Sequence, residues 1–125
     1  MTVLVDSCGW VEYLTDGPLA KRFAPLLENM GEVVIPTIVE YEVYKWVCRE
    51  RDEELAFKII AHMERGNVRP LETRVALLAA DLSREHGLAM ADAMVYAHSK
   101  IEGADLVTSD RHFDGLPGVV LHEKP

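Results

Sequence analysis

Thr2-Val3-Leu4-Val5 is a β-branched run, apolar past its first residue, that ends on Asp6. A strand exposed on one face alternates polar and apolar residues, and this run does not. It therefore predicts a strand buried on both faces, as in a parallel sheet covered by helices. The pattern recurs near the other end of the chain, where Leu106-Val107-Thr108-Ser109-Asp110 is again an apolar run delivering an acid. In open parallel sheets ligands bind beyond the carboxyl ends of the strands, so both Asp6 and Asp110 are expected at the mouth of a site. Asp6 is equally suited to cap the following helix, and on that stretch alone the two roles weigh alike.

The rest of the chain alternates short strands with helices. Helices are expected over 7–14, over a segment from Leu19 to Met30 that Pro25 kinks or divides and Gly31 stops, over 37–49, from Asp52 to a stop at Gly66, from a Thr73 cap to Gly87, and over 91–102. Further strands are expected over 32–36, 68–71 (weakened by Pro70), 105–108 and 119–121. This order predicts a three-layer α/β/α sandwich around a small central parallel sheet. The helix over 37–49 is apolar almost all round, which predicts burial or an interface. With 125 residues, one domain spanning 1–125 suffices for a core.

Composition narrows the function classes. A net charge of -8 argues against broad, nonspecific binding to nucleic acid, which relies on basic contacts to phosphate. It leaves open a cleft in which cations neutralise local acids. No apolar run is long enough to span a bilayer, and the N-terminus lacks the basic flank of a signal peptide, so a cytoplasmic protein without membrane contact is expected. Cys8 and Cys48 lack CxxC spacing and read as reduced packing residues.

Two further acids join the strand-end pair. Glu42 has Ile38, Val39 and Trp46 as same-face neighbours, where an acid is costly unless paired or bound to a cation. A salt bridge to Lys45 or Arg49 would serve as well, and Glu40 lies on a different face. Asp92 falls in the first turn of its helix, where the macrodipole favours negative charge whatever its role. If Asp6, Glu42, Asp92 and Asp110 converge beyond one edge of the sheet, they repel unless a cation joins them. Hard ions such as Mg²⁺ or Mn²⁺ suit an all-carboxylate set. The lack of a Cys/His cluster argues against zinc. His112, near Asp110, could touch substrate but reads first as an exposed loop residue, and His98 as packed or superficial.

These residues resemble the PIN-domain nucleases, in particular the VapC-type toxins of toxin–antitoxin modules. The matching pieces are Val3-Leu4-Val5-Asp6-Ser7, Ile35-Pro36-Thr37-Ile38-Val39-Glu40-Tyr41-Glu42-Val43-Tyr44, Met90-Ala91-Asp92-Ala93-Met94 and Leu106-Val107-Thr108-Ser109-Asp110-Arg111-His112-Phe113. A departure lies at His98-Ser99, where family members carry smaller residues. The resemblance implies an Mg²⁺- or Mn²⁺-dependent endoribonuclease with Asp6, Glu42, Asp92 and Asp110 as catalytic, metal-binding acids and Asp114 as an auxiliary. Thr108 or Ser7 would hydrogen-bond a ligating carboxylate. It also implies an RNA substrate, a homodimer and a cognate antitoxin. Lys45 and Arg49 offer local positive charge for RNA, or else form an ordinary solvated helix end.

Two other classes compete. A strand-end Asp is also the nucleophile of aspartyl-phosphate phosphatases, but these carry a second acid two residues on, where this chain has Cys8. A non-catalytic module of the same fold would use the acids only to bind a metal or a partner's basic side chain.

Overall fold

A computed structural model describes residues 1–125. The elements run β1 (Val3–Val5), α1 (Ser7–Leu14), α2 (Ala20–Leu27), β2 (Val34–Pro36), α3 (Thr37–Glu50), α4 (Glu53–Met63), β3 (Asn67–Arg69), α5 (Thr73–His86), α6 (Met90–Glu102), β4 (Asp105–Thr108) and β5 (Val119–Leu121). Short 3₁₀ turns cover Met30–Glu32 and Arg111–Phe113.

Every ladder is parallel: β1 with β4, β4 with β5, and β2 with β3. An isolated parallel bridge between Val3 and Val33 joins the two ladders, giving the order β3-β2-β1-β4-β5. Successive strands step outward from β1 to β3, and then β4 returns to the other side of β1. The direction of winding thus reverses between β1 and β4, and in such sheets the crevice for ligands opens at that reversal. Asp6 directly follows β1, and Asp110 lies two residues past β4.

Burial follows strand order. β1 and β2 are buried throughout and β4 nearly so, whereas the edge strands β3 and β5 are only half covered. Helices pack in sequential pairs, α1 with α2, α3 with α4 and α5 with α6, around this sheet. The result is the α/β/α arrangement expected from the alternating pattern. Gly9 is needed for that packing, because a Cβ there would sit 2.6 Å from both Phe23 Cε1 and Val5 Cγ1. No helix is long and apolar enough to cross a membrane.

The structure corrects several boundaries. Pro25 neither divides nor ends α2, which runs through it as one short helix to Leu27. The carbonyl of Lys21 is the one left without its helical partner, and Lys21 is exposed, so water can serve it. The segment 30–32 is a 3₁₀ turn rather than the start of β2. The third strand lies at Asn67–Arg69, ending before Pro70, which cannot donate to a ladder. Thr73 is the first residue of α5 and Glu72 occupies the cap position. Finally, α3 is not buried all round: Val39, Val43 and Val47 form one buried stripe, while Tyr41 is 58% exposed, which leaves the interface alternative.

Candidate metal-binding site

Asp6 carries two jobs at once. It is the N-cap of α1, its Oδ1 accepting the Ser7 backbone N–H at 2.8 Å. Its Oδ2 accepts the Thr108 hydroxyl at 3.0 Å. Thr108 is itself fully buried at the end of β4, and its Oγ1 accepts the Asp110 backbone N–H at 3.0 Å. One hydroxyl therefore links the two strand-end acids. The register of β1 on β4 and the Asp6 N–H bond to the Val107 carbonyl, 3.1 Å, bring these residues together.

Glu42 projects from α3 toward the same place. Its Oε1 is buried without a hydrogen-bond partner, and no ion pair to Lys45 or Arg49 forms. Burial, then the charge of Asp6, then those of Asp92 and Asp110 push its carboxyl up to about 7, against the pull of the nearby Ser7 hydroxyl. Asp6 is raised chiefly by burial, with Asp92 and Asp110 adding to the effect and the Thr108 and Ser7 hydrogen bonds opposing it. Asp92, in the first turn of α6, is raised by burial and by Asp110, against His112. Three carboxyls held above their ordinary values chiefly by burial, and further by neighbouring acidic charge, form an electrostatically frustrated cluster. Such a cluster is relieved by protons or by a cation.

His112 joins this cluster while remaining exposed, as expected for that position. Its side chain is exposed, yet Nδ1 lies 3.4 Å from Asp92 Oδ2 and 3.3 Å from Asp110 Oδ1. Ligand atoms of Asp92, Asp110 and His112 lie within 4.8 Å of one another, a spacing that could hold a metal ion. The signal lay in the spacing Asp110-x-His112. An Asp capping a 3₁₀ turn accepts the N–H two residues on, here His112 N at 2.9 Å, and the turn then carries the ring back over the carboxylate.

Not every expected residue is brought in. Asp114 lines a separate cleft with Pro18, Arg22 and His122. Lys45 Nζ lies 3.5 Å from the Tyr41 hydroxyl, and Arg49 Nε lies 3.3 Å from Glu50, both at the exposed side of α3. Beside the acids runs a groove of about 470 Å³, bordered by Ser7, Cys8, Glu42, Trp46 and Ser109. At its far end Lys124 Nζ pairs with Glu12 at 3.1 Å. Glu12 is a buried acid that helical pattern gave no reason to single out. Cys8 is a free, half-buried thiol, and its packing is polar: its Sγ contacts Thr108 Oγ1 at 3.3 Å and accepts Ser109 N–H at 3.4 Å. His98 is buried within α6, and burial lowers its pKa.

No curated protein matches the chain at a significant level. Solved structures do. A toxin–antitoxin complex from Klebsiella pneumoniae shares 22% identity over 98% of this chain and 99% of its own, with a TM-score of 0.83. VapC20 of Mycobacterium tuberculosis, described as a sarcin–ricin loop cleaving toxin, shares 14% over 99% and 100%, with a TM-score of 0.77. The DNA-bound VapBC of Salmonella typhimurium shares 19% over 98% of each chain, with a TM-score of 0.73. At such identities the likeness speaks for the fold. The family model for the PIN domain matches residues 3–119. That match runs from β1 into β5 and takes in Asp6, Glu42, Asp92 and Asp110, so the chain belongs to the PIN domain family.

Proposed function

We propose that this chain is a divalent-cation-dependent endoribonuclease and the toxin half of a toxin–antitoxin pair. The observation that carries the reading is the convergence of Asp6, Glu42, Asp92 and Asp110 at the reversal point of the sheet, with buried Glu42 Oε1 left without a partner. The donor set fits a hard cation: carboxylate oxygens predominate, and the cluster is open enough for bound water. Asp6, Glu42, Asp92 and Asp110 would hold Mg²⁺ or Mn²⁺. When bound, the cation supplies Lewis-acid stabilisation of phosphate charge and makes water acidic enough to attack near neutral pH.

The chain's own residues do the rest. Thr108 and the Ser7 N–H fix Asp6, and Thr108 also sets the direction of Asp110. No side-chain nucleophile is required, because the acids orient water in line with the scissile phosphorus. Lys45 and Arg49, on the side of α3 that follows Glu42, supply positive charge for the RNA backbone in an otherwise acidic chain. An antitoxin partner is supported by the toxin–antitoxin assemblies among its structural relatives. A homodimer is supported by the apolar hollow between α5 and α6, lined by Ala76, Ala79, Ala80 and Met94 beside exposed Met90. A cytoplasmic site of action completes the reading, since RNA is found there.

Cleavage of a structured RNA by the purified chain tests it. Activity is expected with Mg²⁺, and a loss of more than about a hundredfold is expected with EDTA or in Asp6→Asn. Equal cleavage in all three conditions would refute the assignment.

A further inference from the structure

We propose that His112 is itself a ligand of the cation held by the acid cluster, and that its nitrogen biases the site toward first-row transition ions such as Mn²⁺ over Mg²⁺. The inference rests on the metal-site reading above and adds a donor type that an all-carboxylate set lacks.

The geometry is close to what ligation needs. His112 Nδ1 stands nearly equidistant from Asp92 Oδ2 and Asp110 Oδ1, at 3.4 and 3.3 Å. Neighbouring ligands of an octahedral ion bound at about 2.1 Å lie about 3.0 Å apart, so each His112–carboxylate distance exceeds that spacing by only a few tenths of an ångström, and the two carboxylates lie within 4.8 Å of one another. A cation entering between the two carboxylates meets a nitrogen already aimed at the gap.

The backbone holds that aim. Asp110 Oδ1 accepts His112 N–H at 2.9 Å, and the next residue, Phe113, is fully buried and pins the 3₁₀ turn to the core. The ring itself is free to adjust, because the His112 side chain is 76% exposed. A fixed backbone with a free ring is what a ligand needs in order to close onto an ion without disturbing the core.

The chemistry sets the selectivity. Mg²⁺ demands a hard, near-ideal oxygen octahedron and keeps its waters, so it gains little from an imidazole. First-row transition ions accept mixed nitrogen and oxygen ligands, and Mn²⁺ does so while keeping octahedral geometry. The same residues thus serve either ion, but only the transition ion uses His112.

Pulsed EPR of Mn²⁺ bound to the metal-free chain reads the bond directly. Wild type is expected to show nitrogen modulation from a coordinated imidazole, and both His112→Ala and His112→Gln to lack it. The Mn²⁺ Kd should rise about tenfold in these variants, while the Mg²⁺ Kd, measured by competition, should change by less than about twofold. Mn²⁺ bound to wild type without nitrogen modulation, or with an unchanged Kd in His112→Ala, overturns the histidine ligand and leaves the acid site standing. Mn²⁺ that does not bind wild type, or binds an Asp92→Asn/Asp110→Asn variant as tightly, overturns the cation site and the ligand with it.

Discussion

Thr108 is the residue on which the two strand-end acids depend, because its single hydroxyl donates to Asp6 and accepts from the Asp110 N–H. Thr108→Val keeps the shape of the side chain and removes both bonds, leaving a buried N–H without a partner. A stability loss of about 1–3 kcal/mol in urea unfolding is expected, with Thr108→Ser recovering most of it. Metal affinity should fall about 10- to 100-fold in the valine variant, read by Mn²⁺ titration, because the ligating carboxylates lose their orientation. At this scale the sequence was partly legible. Asp6 and Asp110 could be placed because a buried strand fixes where its last residue points. Glu42 could be suspected because a lone acid among apolar same-face neighbours needs an explanation. His112 was noted beside Asp110 but not as a member of the acid cluster, because exposure alone does not say which way a ring faces, and Glu12 was missed because its basic partner, Lys124, is distant in sequence. Cys8 shows the same limit, since its contacts with Thr108 and Ser109 cross from α1 to β4.

The element that sets the site's dimensions is α1, which starts on Asp6 and packs against both α2 and β4. Gly9 lets it approach so closely that any Cβ would meet Phe23 and Val5. Gly9→Ala gains helix propensity but overpacks the core, and the second effect dominates: a net loss of about 1–3 kcal/mol is expected by thermal or urea unfolding. A neutral or stabilising result would mean that α1 can move away from the sheet. Element types were read well from the pattern, because runs of β-branched residues and stripes at helical spacing speak for themselves. Ends were read less well wherever proline was involved. Pro25 was tolerated because α2 is short and the affected residue exposed, and Pro70 moved β3 toward the N-terminus. Of the three aromatics that make α3 look apolar all round, Tyr44 and Trp46 do pack against the core, whereas the polar tip of Tyr41 lets it stand at the surface.

Across the whole molecule the acids leave a pH signature. Glu42 is raised to about 7 by burial and its acidic neighbours, and Glu40 likewise by burial and the adjoining Glu64. Asp6 and Asp92 shift in the same direction. A carboxyl raised in the folded state keeps its proton longer than the unfolded chain does. Its stabilising contribution is therefore complete below the ordinary carboxylate range and is lost as pH climbs through about 7. The metal-free chain is expected to show a Tm that falls from about pH 5 to about pH 8, with saturating Mn²⁺ restoring it at the higher pH. Glu40→Gln should flatten part of that slope without altering the response to Mn²⁺. A Tm that rises over this range contradicts the assignment of raised carboxyls. The pairing of β1 with β4 has one more consequence, which concerns time. Ribosomes deliver Asp6 104 residues ahead of Asp110, at about 5–20 residues per second. For those seconds the growing polypeptide holds solitary acids and no assembled centre. A copy whose synthesis has not passed Asp110 therefore lacks the assembled acid cluster, and whatever depends on that cluster begins only afterwards.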